Sequence, residues 1–193
     1  MRAYFGLTGT PGTGKKTLAP LVGRELGVQF HGLNDLAKEW GVARKSGADS
    51  EVDARVLGRM VTAKVRGPCL LFGHLLPYAF ESSEFSRVTV LRCDPAVLRR
   101  RLAARGYAEE KIRENVEAEL IGVLSADAVA AFGAGRVSEA DTSSASPAAS
   151  AAAVCSSLRS TRGRAARVDW MDSYDSAAKL RSLLGSGTPS ART

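Results

Sequence analysis

Histidine and cysteine are scarce in this 193-residue sequence, which holds two of the first and three of the second. Cys69, Cys93 and Cys155 stand far apart, with no C-x-x-C pair and no histidine at metal-ligand spacing. That argues against a zinc site or a disulfide framework, and the three read as reduced thiols. Long apolar runs are missing too: no uncharged stretch approaches the roughly 20 residues needed to cross a bilayer. The N-terminus runs straight into a strand-like segment instead of a signal peptide, so a cytoplasmic protein without membrane contact is expected. Acidic residues are outnumbered, 20 Asp and Glu against 27 Lys and Arg, and the net charge of +7 favours an anionic partner such as nucleotide or RNA without bearing on fold. Nothing repeats internally. With 45% hydrophobic residues the chain suits one domain with a real core, expected over 1–184.

What is present alternates between two kinds of segment. "RAYFGLTG" is mostly apolar and ends in glycine, as a strand covered on both faces would. In "KKTLAPLVGREL", Leu18, Leu21, Val22 and Leu26 keep a helical spacing, and Pro20 lies close to the helix start. "VQFHG", "PCLLFGH" and "SRVTVLRC" read as further strands, and "GRVSEAD" as a weaker fifth. Residues 33–66 read as helices broken by the loop "RKSGADS". Asp94 supplies a cap, and Pro95 a preset first position, for the helix "AVLRRRLAAR". Ile112, Val116, Leu120, Val123 and Leu124 mark one long amphipathic helix from Ala108 to Phe132, with Glu109 and Arg113 spaced to pair one turn apart. "TSSASPAASAAAVCSSLRS" has a linker's composition, but Ser146-Pro147 and the alanine run favour a helix. Residues 185–193, "GSGTPSART", read as a disordered tail.

Strands alternating with helices indicate an α/β domain with a parallel sheet whose ligand lies at the carboxyl ends of the strands. That rule nominates the loops after Thr8, Phe72, Cys93 and Glu139. The first of them, "GTPGTGKKT", follows the G-x-x-x-x-G-K pattern of a phosphate-binding loop between a strand and a helix. Gly9, Gly12, Thr13 and Gly14 would turn the backbone so that N–H groups point at phosphate, with the helix adding its positive end. Lys15 would reach the β- and γ-phosphates. The next position should carry the hydroxyl that meets Mg²⁺, and here it is Lys16. An ammonium about 4 Å from a divalent cation, at an effective dielectric of about 20, repels it by roughly 8 kcal/mol. Either its flexible stem carries the charge into solvent or the lysine takes over part of the metal's charge. Thr17 is turned about 100° around the helix, a poor metal ligand that could still meet an α-phosphate. His74 stands at the end of the third apolar strand, where a group could meet the γ-phosphate or the attacking water. Two arginine clusters, Arg99, Arg100, Arg101 and Arg105, then Arg159, Arg162, Arg164 and Arg167, read as solvated faces or as an RNA contact.

Taken together, "TGTPGTGKKTLA", "GH" after the third strand, "VLRCDPAVLRRRLAARGYAEEKIRENVEAEL", "DTSSASP" and "VDWM" resemble the nuclear and archaeal adenylate kinase family of small-ribosomal-subunit maturation, called coilin-interacting nuclear ATPase in animals. The resemblance covers residues 2–172 or so. It implies a P-loop nucleotide-kinase fold, a five-stranded parallel sheet flanked by helices, with a monophosphate-binding insertion near 32–55 and a short lid near 104–114. It implies ATP with Mg²⁺, AMP as acceptor, side ATPase activity, a small-subunit ribosomal protein as partner, and rRNA processing as the setting. By the same resemblance Lys15 is the phosphate-binding lysine, Arg105 the lid arginine that meets the transferring phosphoryl group, and His74 the histidine of an Asp-x-His motif, while "DTSSASP" borders the adenine. Phe72 occupies the aspartate position of that motif, so both protein anchors for Mg²⁺ are absent and no metal ligand is assigned. Reduced phosphoryl transfer, or a nucleotide-binding assembly factor that catalyses little, are the two readings this leaves, with an RNA-binding protein on the same fold as a weaker third.

Overall fold

The computed structural model describes residues 4–46, 49–160 and 167–184. The apolar N-terminal run forms β1 (Tyr4–Gly9) and takes the centre of the sheet. Chain order continues with α1 (Lys15–Leu26), β2 (Gln29–Gly32), α2 (Leu33–Glu39), β3 (Ala43–Ser46), β4 (Asp49–Val52), α3 (Ala54–Lys64), β5 (Cys69–Phe72) and α4 (Leu76–Ala79). It ends with β6 (Phe85–Arg92), α5 (Pro95–Ala103), α6 (Glu109–Leu120), α7 (Val123–Phe132), β7 (Val137–Asp141), α8 (Pro147–Arg159) and α9 (Ala177–Leu184). Five strands pair in parallel in the order β2-β5-β1-β6-β7, with Leu7 opposite Phe72 and Gly9 opposite Leu91. The expected five-stranded parallel sheet is therefore present, and its order reverses direction at β1, which puts the β1–α1 loop at the switch point.

Period-two alternation sorts the core onto two faces. In β5, Cys69 and Leu71 enter the cluster with Leu33, Leu57, Val61 and Phe132, beneath α2, α3, α4 and α7. Leu70 and Phe72 point the other way, toward Leu18, Val22, Val154 and Leu158 of α1 and α8. A third cluster, Cys93, Leu98, Leu102, Ile112, Val116, Leu120 and Leu183, joins α5, α6 and α9. All three cysteines are free and buried, and burial pushes each thiol up to about 11.

The helix caps agree with the sequence. Asp94 accepts from the backbone N–H groups of Ala96 and Val97 at 2.9 and 3.0 Å, and Ser146 accepts from that of Ala149 at 3.2 Å, which starts α8 where a linker was the alternative. Three expectations are corrected. The loop "RKSGADS" is mostly strand: β3 and β4 pair antiparallel, Ala43 opposite Val52 and Ser46 opposite Asp49. The long helix over 108–132 is two helices, because Gly122 takes φ 72°, a left-handed conformation that interrupts the helical bonds while the apolar spacing runs on. Glu109 and Arg113 do not pair with each other: Glu109 meets Arg99, and Arg113 meets Glu117 at 3.8 Å. The expected tail, 185–193, lies outside the described residues. Among the described residues no helix is long and apolar enough to cross a membrane.

Candidate active site

The turn between β1 and α1 is built by glycine. Gly9, Gly12 and Gly14 take φ of 140°, 96° and 105°, with Gly14 as the N-cap of α1. Gly12 has a second reason to be glycine: a Cβ there would lie 2.6 Å from Leu98 Cδ1, so α5 packs directly on the loop. Thr13 is buried and donates to Thr10 O at 2.9 Å, closing the loop on itself. The Thr142 hydroxyl stands 2.8 Å from Thr13 O and 2.9 Å from Arg92 O, which ties the "DTSSASP" segment to both the loop and β6. Lys15 is half-buried and folds back on the loop, donating from Nζ to Gly9 O at 2.5 Å and Thr10 O at 3.0 Å. Burial lowers its pKa to about 7; the Glu119 carboxylate works against that shift and the Arg105 guanidinium works with it.

His74 follows Gly73, whose N–H donates to Leu7 O at 3.1 Å and whose carbonyl accepts from Thr8 Oγ1 at 2.9 Å. These two bonds hold the end of β5 against the end of β1. Burial, and then the charge of Lys15, lower the His74 pKa, so its imidazole is neutral at pH 7. Arg105 sits exposed in the 104–108 connection between α5 and α6. The Arg105 charge bears on Lys15, and the Lys15 charge on His74.

Lys16 and Thr17 are exposed on the first turn of α1. The Lys16 side chain is 75% exposed, its charge in solvent as one of the two expectations had it, and its Nζ lies 3.4 Å from Asp35 Oδ1 on α2 in an exposed pair. Phe72 is 8% exposed, and its ring crowds Gly32 from the same side as Asp35: a Cβ on Gly32 would meet Asp35 Oδ2 at 2.6 Å and Phe72 Cζ at 2.9 Å. At the two positions where the resemblance leads one to expect oxygen ligands for Mg²⁺ stand an ammonium and a phenyl ring, and that ammonium pairs with the Asp35 carboxylate. The residues present do not fit a protein-anchored magnesium ion. A cavity of about 90 Å³ is lined by Asn34, Lys38, Ala43, Val52, His74 and Leu75.

Sequence reasoning missed the group beneath the loop. Glu119, 2% exposed, accepts from Thr10 Oγ1 on one oxygen at 2.6 Å. Its other oxygen accepts from Arg92 Nε at 2.8 Å and the Cys93 N–H at 3.0 Å. Arg92, 3% exposed, also meets Glu139 Oε1 at 3.5 Å. The signal was there: Arg92 is a charge inside an apolar strand, and Glu119 lies three residues after Val116, on the apolar face of α6. The first arginine cluster is partly spent within the fold, since Arg99 meets Glu109 and Arg101 donates to Thr142 O at 2.7 Å. In the second, Arg159 donates to Glu25 O at 2.6 Å, while Arg162 and Arg164 lie outside the described residues.

Comparison with known proteins places this architecture. A family profile described as "AAA domain" matches residues 6–122, more than half of the chain. A protein of Thermococcus onnurineus named "Putative adenylate kinase" is 34% identical over 181 residues, covering 93% of this chain and 97% of its own. One of the same name from Natronomonas pharaonis is 40% identical over 151 residues, covering 77% and 85%. Among solved structures, a gluconokinase from Sinorhizobium meliloti superposes with a TM-score of 0.56 at 14% identity, over 81% of this chain and 91% of that one. A sugar kinase from Janibacter gives 0.52 at 15% identity, over 82% and 95%, and both likenesses speak to fold alone. The profile spans more than half of the chain and the archaeal relative nearly all of it, so the chain belongs to the AAA-domain family and is a relative of the archaeal proteins named "Putative adenylate kinase".

Proposed function

We propose that the protein is a nucleoside-monophosphate kinase of adenylate kinase type, moving the γ-phosphoryl group of ATP to AMP. One observation carries this: a glycine-built loop between β1 and α1 holds Lys15 against its own carbonyls, with His74 at the end of the neighbouring strand β5. Lys15 leaves the carbonyls of Gly9 and Thr10 for the β- and γ-phosphates, and the loop N–H groups take the phosphate oxygens. Phosphoryl transfer asks a protein chiefly to position the groups and neutralise charge. Lys15 and Arg105 supply cations, and neutral His74 offers a hydrogen bond at the acceptor side. The names of the archaeal relatives support adenine nucleotides as the substrates. The domain spans 1–184 on this reading, with the insertion of 32–55 closing over the monophosphate and the connection within 104–114 acting as the lid. Any Mg²⁺ would be held by the ATP phosphates and its own waters, with no side chain of this protein assigned as a ligand.

Purified protein should form ADP from ATP and AMP, and Lys15→Ala should lower kcat by about 10²- to 10³-fold, the usual loss of a charge-stabilising group. Arg105→Ala should lower kcat more than it raises KM for ATP. Unchanged rates in both variants would sink the assignment.

Lys15 also makes ATP binding pH-dependent. In the free protein its charge is lost as pH rises through about 7, whereas bound phosphate holds the proton on. Above that pH, binding takes up a proton, so affinity falls with rising pH, by up to about tenfold per unit, and levels off below it. Calorimetry in two buffers of different ionisation enthalpy should show this uptake in the parent protein and none in Lys15→Met.

A second reading has a specific observation behind it. Lys16 and Phe72 stand where Mg²⁺ ligands are expected, which favours a nucleotide-binding factor of small-subunit assembly with weak catalysis. It predicts ATP binding without ADP formation.

A further inference from the structure

Glu119 lies at a crossing of four chain segments. One oxygen holds Thr10 of the phosphate loop at 2.6 Å. The other takes Arg92 and Cys93 at the end of β6, and also the indole N–H of Trp170 at 3.4 Å. Arg92 extends the same network: Nη2 donates to Glu119 O at 2.8 Å, and Nη1 donates to Val168 O at 2.9 Å. The Val168 N–H returns to Glu139 Oε2 at 2.5 Å. Six residues further on, the Tyr174 hydroxyl lies 3.1 Å from Asp94 Oδ2, on the cap of α5. The 167–174 segment is thus strapped across the ends of β6 and β7, and its indole sits one carboxylate away from the phosphate loop.

A buried ion pair is a poor device for stability, because apolar residues of the same volume commonly hold a fold as well or better. A carboxylate retained there has another use, and the donors on it name that use. We propose that Glu119 is a positioning residue of the phosphate loop, holding it through Thr10, and that through its second oxygen it couples the 167–174 segment to nucleotide binding. This rests on the reading of the loop as an ATP site. When Lys15 leaves the carbonyls of Gly9 and Thr10 for phosphate, a positive charge moves off the backbone of the residue whose hydroxyl Glu119 holds. The field on that carboxylate and on each of its donors changes with it, the indole of Trp170 included. Arg92 spreads the same change to Val168, so the strap tightens or loosens as one unit.

The chain has only two tryptophans, Trp40 and Trp170, so Trp40→Phe leaves Trp170 as the single reporter. ATP should change Trp170 emission saturably, with the midpoint of ATP binding measured in parallel by calorimetry. Thr10→Ser, which keeps the hydroxyl, should preserve the change. Thr10→Val should bind ATP more weakly and, once saturated, lose most of the amplitude. Should Thr10→Val fail to fold, Glu119→Gln, of the same size and without the charge, should show the same loss. Calorimetric binding with unaltered emission, or equal amplitudes in Thr10→Ser and Thr10→Val, would overturn the coupling alone. Calorimetry that detects no ATP binding would overturn the nucleotide reading and this proposal with it.

Discussion

Truncating Glu119 to alanine should destabilise the fold by about 3–5 kcal/mol, because it leaves the Arg92 guanidinium buried without its main partner. Both side chains of the pair are nearly inaccessible, 4% and 2% exposed, and Nε to Oε1 is 2.8 Å. Glu139, at 3.5 Å from Arg92 Nη1, offsets part of the loss and places the effect toward the lower end of that range. Three other donors, Thr10, the Cys93 N–H and Trp170, lose their acceptor in the same step. For a chain of this length such a loss corresponds to a fall of about 6–20 °C in melting temperature. Urea unfolding of Glu119→Ala, Arg92→Met and the double variant separates the pair from its surroundings. The double variant should cost clearly less than the sum of the singles, since residues in one network do not add. A loss below about 1 kcal/mol in Glu119→Ala, the level of an exposed pair, would show that the carboxylate carries no such burden.

The second large effect concerns the magnesium positions. Lys16→Thr with Phe72→Asp restores an oxygen at both and frees Asp35 from the ammonium at 3.4 Å. With saturating Mg²⁺, ADP formation should rise by about 10- to 100-fold over the parent, the scale on which a well-placed metal stabilises transferring phosphoryl charge. Phe72 lies in the cluster under α1 and α8, so Phe72→Asp alone costs stability by emptying an aromatic site. ATP with Mg²⁺ should recover more of that stability in the double variant than in either single one, by mass action on the folded state. A double variant no faster than the parent, and no more dependent on Mg²⁺, would show that the parent's rate is limited elsewhere.

Much of this was readable because it is local. "GTPGTGKKT" sets its own backbone, and its place between an apolar strand and an amphipathic helix marked it as a phosphate loop, whereas the central place of β1 in the sheet is a fact of the fold. Asp94-Pro95 and Ser146-Pro147 started helices for reasons confined to a few residues. The hairpin of β3 and β4 was missed because "ARKS" and "DSEV" carry little apolar alternation; their pairing is a tertiary fact. The break at Gly122 was missed because the apolar spacing on either side continues in register, and one positive φ decides the matter. Lys16 illustrates the limit differently. Its charge was legible, but its partner lies nineteen residues away on α2, and only the fold brings Asp35 to it. Glu119 and Arg92 were visible as charges in apolar company, yet nothing local says that they meet beneath the loop.

Phosphorus-31 NMR of the purified protein with ATP and AMP tests the central claim most directly, since it follows every phosphoryl group at once. ADP resonances should grow as ATP and AMP decline together, with little inorganic phosphate, and Lys15→Ala should leave the spectrum nearly static. Inorganic phosphate accumulating while AMP stays constant, or no change in the parent protein, would contradict transfer to a monophosphate as the work of this site.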